Sequence, residues 1–166
     1  KLAKNFKKKY SLKIGVLTFE PMPKMYFNKN IKNFRISNKR QKINLLDQFN
    51  VDFVITKKFD KKFSKIKSLD FIKRILVKKL DARFIFVSNN FRFGNKREGD
   101  VNQLIEYQKI YNYKIIKPKP LLRKKKIVSS SLIRNHLQKG KLNLVNKLLN
   151  RNWCVEGKVQ KGKQLG

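Results

Sequence analysis

Carboxylates are scarce in this chain: ten aspartates and glutamates stand against 43 lysines and arginines, a formal net charge of +33 over 166 residues. Cysteine occurs once, at Cys154, and histidine once, at His136. A single cysteine excludes an internal disulfide and a cysteine-built zinc site, and a reduced, cytoplasmic setting follows as the default. A single histidine excludes a histidine metal cluster; His136 falls on a Lys/Asn-rich helix face and reads as solvated. No apolar run approaches the ~18 residues of a membrane span. The Lys-rich start lacks the apolar segment of a signal peptide. Alanine is confined to Ala3 and Ala82, while Lys, Asn, Ile and Phe abound.

That bias fits an AT-rich genome that fills solvated positions with lysine. A charge this large would ordinarily point to nucleic acid. Here the lysines are spread along the whole chain, so they read as a solvated coat that meets nucleic acid only non-specifically. Hydrophobic residues make up 40% of the chain, enough for a domain with its own core rather than a disordered polycation. A Lys at position 1 and a Gly/Lys-rich end read as cut ends.

Apolar runs and amphipathic stretches alternate. Strands are expected at 12–19, 51–56, 83–88 and 113–116. Helices are expected at 2–9, from Ser37 to Phe49 with Ile43, Leu46 and Phe49 on the apolar face, and from Ser68 with Leu69, Ile72, Leu76 and Leu80 at helical spacing. Further helices are expected at 101–111, 130–138 and 142–149. Glu20-Pro21-Met22-Pro23 reads as an extended, helix-free loop. Alternation of this kind implies βαβ units and a mainly parallel sheet. It stops near Asn150, so one domain is expected over 1–150, with a last strand at 153–159 opening something new and Trp153 and Cys154 in its core.

Three segments carry chemistry. At Thr18-Phe19-Glu20-Pro21 an acidic residue sits where a strand meets a proline-bounded loop. It is either a plain strand end or a functional carboxylate. At 84–94 a β-type run ends in Asn89-Asn90-Phe91-Arg92-Phe93-Gly94. This is either a turn with glycine at positive φ or a site in which an amide bonds a ring edge while Phe91 or Phe93 packs on a ring face. At Val128-Ser129-Ser130-Ser131-Leu132-Ile133-Arg134 a serine cluster opens a helix. Free N–H groups and the positive dipole end there suit an anion, and Arg134 one turn on could add a bidentate phosphate contact. Gly157 to Lys163 mimics a phosphate-binding loop, but Gln164 stands where Ser or Thr should be, and no helix follows.

In this order the motifs resemble the bacterial bifunctional riboflavin kinase/FMN adenylyltransferase family. Thr18 to Pro23 matches its T-F-E/D-P-H-P loop except at Met22. Val87 to Gly94 with Gly99-Asp100 matches its V-G-x-N/D-F-x-F-G turn, with Ser88 in place of glycine. Val128 to Arg134 resembles its I-S-S-T-x-I-R helix start. Leu148-Leu149-Asn150-Arg151 meets its L-L-G-R, with Asn150 in place of glycine. The resemblance implies a Rossmann-like nucleotidyltransferase domain over 1–150 that lacks its first strand and the histidine pair carried with it. It further implies the first strand of a β-barrel kinase domain over 151–166. It implies adenylyl transfer from ATP to FMN with Mg²⁺, Ser129, Ser130, Ser131 and Arg134 on ATP (Ser130 and Arg134 catalytic), Glu20, Asn90, Phe91 and Phe93 on the flavin, and no protein metal ligand. The missing histidine pair implies an inactive piece. No obligate protein partner is expected. Two other readings stay open: a basic RNA-binding protein, and an adenylyltransferase whose acceptor is pantetheine phosphate or nicotinamide mononucleotide.

Overall fold

The computed structural model describes residues 2–31, 35–123, 125–157 and 162. The chain divides into two compact units, Lys1–Ile31 with Val51–Pro120, and Lys32–Asn50 with Leu121–Gly166.

The first unit is α/β. Its strands are β1 (Gly15–Glu20), β2 (Phe53–Lys58), β3 (Phe84–Phe86), β4 (Arg92–Phe93), β5 (Gly99–Asp100) and β6 (Lys114–Ile116). β1 pairs in parallel with β2, and β3 in parallel with β6, while β4 and β5 form an antiparallel hairpin. The two parallel pairs bear out the expected α/β class and the parallel pairing. Alternation places Ile85 and Val87 against the core, as it does Leu17 and Phe19 on β1. Phe84 and Phe86 take the other face, where Phe6 of the helix Leu2–Tyr10 meets both rings edge-on at 4.8 and 5.4 Å. Asp52 ties that helix to the sheet: its carboxylate accepts from Lys7 Nζ and from the Ile14 N–H at 2.7 Å. The Lys7 bond, with the Ile14 amide behind it, holds the Asp52 carboxyl below the usual aspartate range.

The core gathers Phe71, Ile72, Leu76, Phe93, Leu104 and Tyr113. Ile72 and Leu76 come from the helix start expected at 68, which runs as Ser68–Asp70 and continues as a π-helical stretch, Phe71–Val77. Leu104 comes from the helix Val101–Tyr107. Ile72 and Leu104 are fully buried, each contributing about 1.5–3 kcal/mol. Tyr113 is also buried and donates its hydroxyl to the Leu104 carbonyl at 2.8 Å.

The second unit holds the helices Lys39–Gln48, Ser130–Gln138 and Leu142–Leu149, and an antiparallel hairpin, β7 (Leu122–Arg123) with β8 (Lys126–Ile127). Val145 is fully buried and Ile133 nearly so.

Several expectations are corrected. Pro23 does not forbid helix: it stands at the first turn of a short helix, Pro23–Phe27, where its missing N–H costs nothing. Asn38, not Ser37, caps the next helix, in a capping box with Gln41. Ser37 instead accepts from Arg151 at 2.8 Å. Ile43 and Phe49 are exposed, and the buried residue of that helix is Gln41. Trp153 to Gly157 is not a strand: the Trp153 N–H goes to Asn146 Oδ1 and its indole to the Ile36 carbonyl, each at 2.8 Å. Lys158 and Val159, the rest of that expected strand, lie outside the described residues. Cys154 is exposed. His136 is half-buried rather than solvated.

Burial pushes the Tyr113 hydroxyl up to about 12, and Tyr111 beside it adds to the effect. An unfolded chain releases that proton near 10, so the associated stability is complete below 10 and is lost as pH rises through 12. Tyr113→Phe should therefore flatten the alkaline fall in stability, read by denaturant titration at several pH values. At neutral pH it should cost about 1–3 kcal/mol, because the buried Leu104 carbonyl loses its donor. Leu104→Ala should cost about 2–5 kcal/mol in the same assay.

Candidate functional site

The chemistry-bearing residues fall into three built segments, two in the first unit and one in the second.

β3 runs out through Val87, whose N–H still bonds the Ile116 carbonyl at 3.1 Å, into the exposed Ser88, Asn89 and Asn90. Ser88 needs no positive φ, so the position does not demand glycine. Its hydroxyl donates to Asn90 Oδ1 at 2.8 Å, which fixes the amide, and its carbonyl accepts from the Phe91 N–H at 3.0 Å. Phe91 is half-buried and stacks on Phe93 at 5.6 Å and 19°. Phe93 is a core ring, 7% exposed, so its face is spent on Phe91 and Phe71 rather than offered outward. Gly94 follows at φ +78, and a Cβ there would lie 2.7 Å from the Ser68 nitrogen. Beyond it, Asp100 pairs with Arg92 across the hairpin at 3.3 Å and accepts from the Gln103 N–H at 3.0 Å, capping the helix behind.

The second segment is the end of β1. Thr18 and Glu20 alternate with Phe19, which turns to the core. A cis peptide joins Glu20 to Pro21, and the Glu20 carbonyl accepts from the Phe59 N–H at 2.9 Å. Met22 is the residue before the short helix, and its carbonyl accepts from Met25 and Tyr26 at 2.8 and 2.9 Å. Phe19, Tyr26, Phe27, Phe59 and Phe63 form one aromatic cluster, with Phe27 70% exposed. Asp60 holds the turn between Phe59 and Phe63 by accepting from the Phe63 N–H at 2.8 Å, which draws its own carboxyl below the ordinary range.

These two segments share a row of rings. Phe19 meets Phe63 at 5.4 Å, Phe63 meets Phe71 at 6.4 Å, Phe71 meets Phe93 at 5.4 Å, and Phe93 meets Phe91. Sequence reasoning picked Phe91, Phe93 and Glu20 but missed Tyr26, Phe27, Phe59, Phe63 and Phe71. The available signal was Phe59-Asp60-Lys61-Lys62-Phe63, two rings four positions apart on either side of a capping aspartate, directly after a strand.

The third segment stands in the second unit. Ser129 is the N-cap of Ser130–Gln138 and accepts from the Leu132 N–H at 3.2 Å. Ser130 and Ser131 are exposed on its first turn. Arg134 is half-buried and its guanidinium donates to Ser131 Oγ at 3.4 Å. Ile133 is buried, so the helix is seated by one face while the serines and the arginine lie on another. At the end of Leu142–Leu149, Asn150 adopts φ +53, a left-handed C-cap. Asparagine tolerates that conformation, which accounts for its standing where the L-L-G-R pattern has glycine. The arrangement can bind anions at the serine-opened helix and offer ring faces at the two aromatic segments. Among the described residues, no three or more of His, Cys, Asp and Glu group as a metal site, and no helix is long and apolar enough to cross a membrane.

A family model for FAD synthetase matches residues 1–132. The bifunctional riboflavin kinase/FMN adenylyltransferase of Buchnera aphidicola subsp. Acyrthosiphon pisum is 36% identical over 95% of this chain and 50% of its own length. The protein of that name from Escherichia coli is 31% identical over 96% of this chain and 51% of its own length. The chain thus spans about half the length of these curated relatives and matches only their N-terminal part. The crystal structure of the macrolide-efflux protein from Streptococcus pneumoniae superposes with a TM-score of 0.78 at 21% identity, covering 92% of this chain and 57% of that one, a likeness of fold alone. With the family model matching 132 of the 166 residues, the chain belongs to the FAD synthetase family.

Proposed function

We propose that this chain carries the adenylyl-transfer half of FAD synthesis, in which FMN and ATP give FAD and pyrophosphate. The observation that carries the reading is the row of rings from Phe19 to Phe91. It fixes an acidic loop and an amide-bearing turn to one aromatic support, which suits a flat, partly polar ring system. An oxygen of the FMN phosphate attacks the α-phosphorus of ATP, the new P–O bond forms, and the bond to pyrophosphate breaks in line. Such a step needs positioning and charge stabilisation more than a covalent nucleophile.

Ser129, Ser130 and Ser131 present N–H and hydroxyl donors to the ATP phosphates at a helix N-terminus. Arg134 adds a fixed positive charge, and with Ser130 it stabilises charge on the transferring phosphoryl group. Asn90 bonds the flavin edge and Phe91 packs on its face, with Phe93 acting from behind as the ring that holds Phe91. Phe27 offers a second exposed face beside the loop of Glu20. Glu20 lies near the junction of the two substrates. Mg²⁺ would enter as the counter-ion of ATP and supply positive charge at its phosphates. The riboflavin kinase step is assigned to the half of the relatives that this chain does not match. A cytoplasmic location and small-molecule partners belong to the same reading.

Titrating FMN fluorescence in the presence of Mg-ATP tests it. Quenching should saturate and persist as salt rises. Quenching that vanishes with salt, or RNA binding with a steep salt slope and no flavin preference, would replace the reading with one based on charge. Arg134→Ala should weaken ATP binding by about 10- to 100-fold and leave FMN affinity nearly unchanged. Asn90→Ala and Phe91→Ala should do the reverse, by about tenfold each. If these two variants leave FMN affinity intact while ATP effects remain, the acceptor is a different phosphate-bearing molecule.

A further inference from the structure

Glu98 stands on the connection between β4 and β5, outside the residues assigned to either substrate. Its Oε1 accepts from the Ser68 N–H at 2.6 Å, across 30 positions of sequence. Ser68 opens the helical segment behind the hairpin, and the residue before it, Lys67, supplies no side-chain cap. The carboxylate therefore caps that helix start from outside, where a negative charge also meets the positive end of the helix.

The bond is closed on its Ser68 side, while Glu98 itself is exposed. A Cβ on Gly94 would come within 2.7 Å of the Ser68 nitrogen, and one on Gly99 within 2.7 Å of the Ser68 side chain. Ser68 is itself buried. At the far side of the same hairpin, Asp100 caps the next helix through the Gln103 N–H. Two carboxylates two residues apart thus pin one hairpin to two helix starts. Between those pins lies Phe93, with Phe91 stacked on it. A shift of the hairpin relative to Ser68 moves Phe91 and Asn90 with it.

We propose that Glu98 is a positioning residue for the acceptor substrate: by holding the β4–β5 hairpin against the helix start at Ser68, it sets where Phe91 and Asn90 meet the flavin. This rests on the flavin reading of that turn. Glu98 lies outside the residues assigned to either substrate, so its influence passes through the hairpin. The serine-opened helix that carries Arg134 belongs to the other unit of the chain, so ATP recognition is left out of the effect.

The test is steady-state FAD formation by the intact protein, varying FMN and Mg-ATP separately. Glu98→Ala should raise KM for FMN by about tenfold, the usual weight of one charge-assisted bond, and leave kcat and KM for ATP within about twofold. Glu98→Gln keeps an acceptor at the same reach and should recover most of the loss. Glu98→Asp draws the carboxylate back by one methylene and should fall between. Asp81→Asn, an exposed carboxylate away from the hairpin, controls for the change in net charge and should match wild type. If Glu98→Ala unfolds the protein, the ordering of Gln and Asp in KM for FMN alone carries the test. Parallel losses in both KM values and kcat would make Glu98 merely structural and overturn the proposal, as would wild-type kinetics in Glu98→Ala. A wild-type protein that turns over ATP with another acceptor but not FMN would overturn the flavin reading itself, and the proposal with it.

Discussion

Ring-on-ring packing of aromatic side chains is the interaction on which the first unit depends. The row from Phe19 through Phe63, Phe71 and Phe93 to Phe91 crosses the unit from the end of one strand pair to the hairpin beyond another. Each ring brings a large apolar area and a preferred geometry, so the row is rigid as well as cohesive. Its terminal members sit beside the polar groups to which chemistry is assigned, Glu20 at one end and Asn90 at the other. The same rings therefore serve packing and presentation. Strand alternation turns Phe93 into this row and leaves its neighbour Arg92 exposed.

Scarcity of acid shapes the rest. Four of the ten carboxylates, Asp52, Asp60, Glu98 and Asp100, accept from backbone N–H groups. Three of those bonds are at helix starts, where an anion is favoured by the unpaired amides and the dipole together. In a chain so rich in lysine, a surface ion pair is easily formed and contributes little. A carboxylate tied to a backbone amide cannot be replaced by rearranging lysines. These four acids stand at positions where geometry, not net charge, is at stake.

Much of this was legible in the sequence. The strands at 15–20, 53–58, 84–86 and 114–116 and the helices at 130–138 and 142–149 follow from alternation and helical spacing. Ile72 and Leu76 were recognisable as core from their spacing. What escaped was decided by partners distant in sequence. Ser68 looks like a cap for its own helix, yet the cap is Glu98, thirty positions on. Ile43 and Phe49 look like a buried face, yet Gln41 is buried instead, where its amide donates to the Cys154 carbonyl at 3.1 Å. Trp153 looks like strand, but a side-chain amide takes its N–H. The serine cluster was clear because N-capping is a local rule. The aromatic row was not, because its middle rings are neighbours only after folding.

Among the described residues, eight other than glycine adopt left-handed backbone, and four of them, Asn50, Asp81, Asn112 and Asn150, are asparagine or aspartate. Asparagine and aspartate enter that region at less cost than other side chains, since their short polar groups can bond the local backbone. The chain has only seven glycines. Turns and helix ends that glycine would ordinarily supply are thus held in part by asparagine, whose short amide makes the same bend of backbone at modest cost.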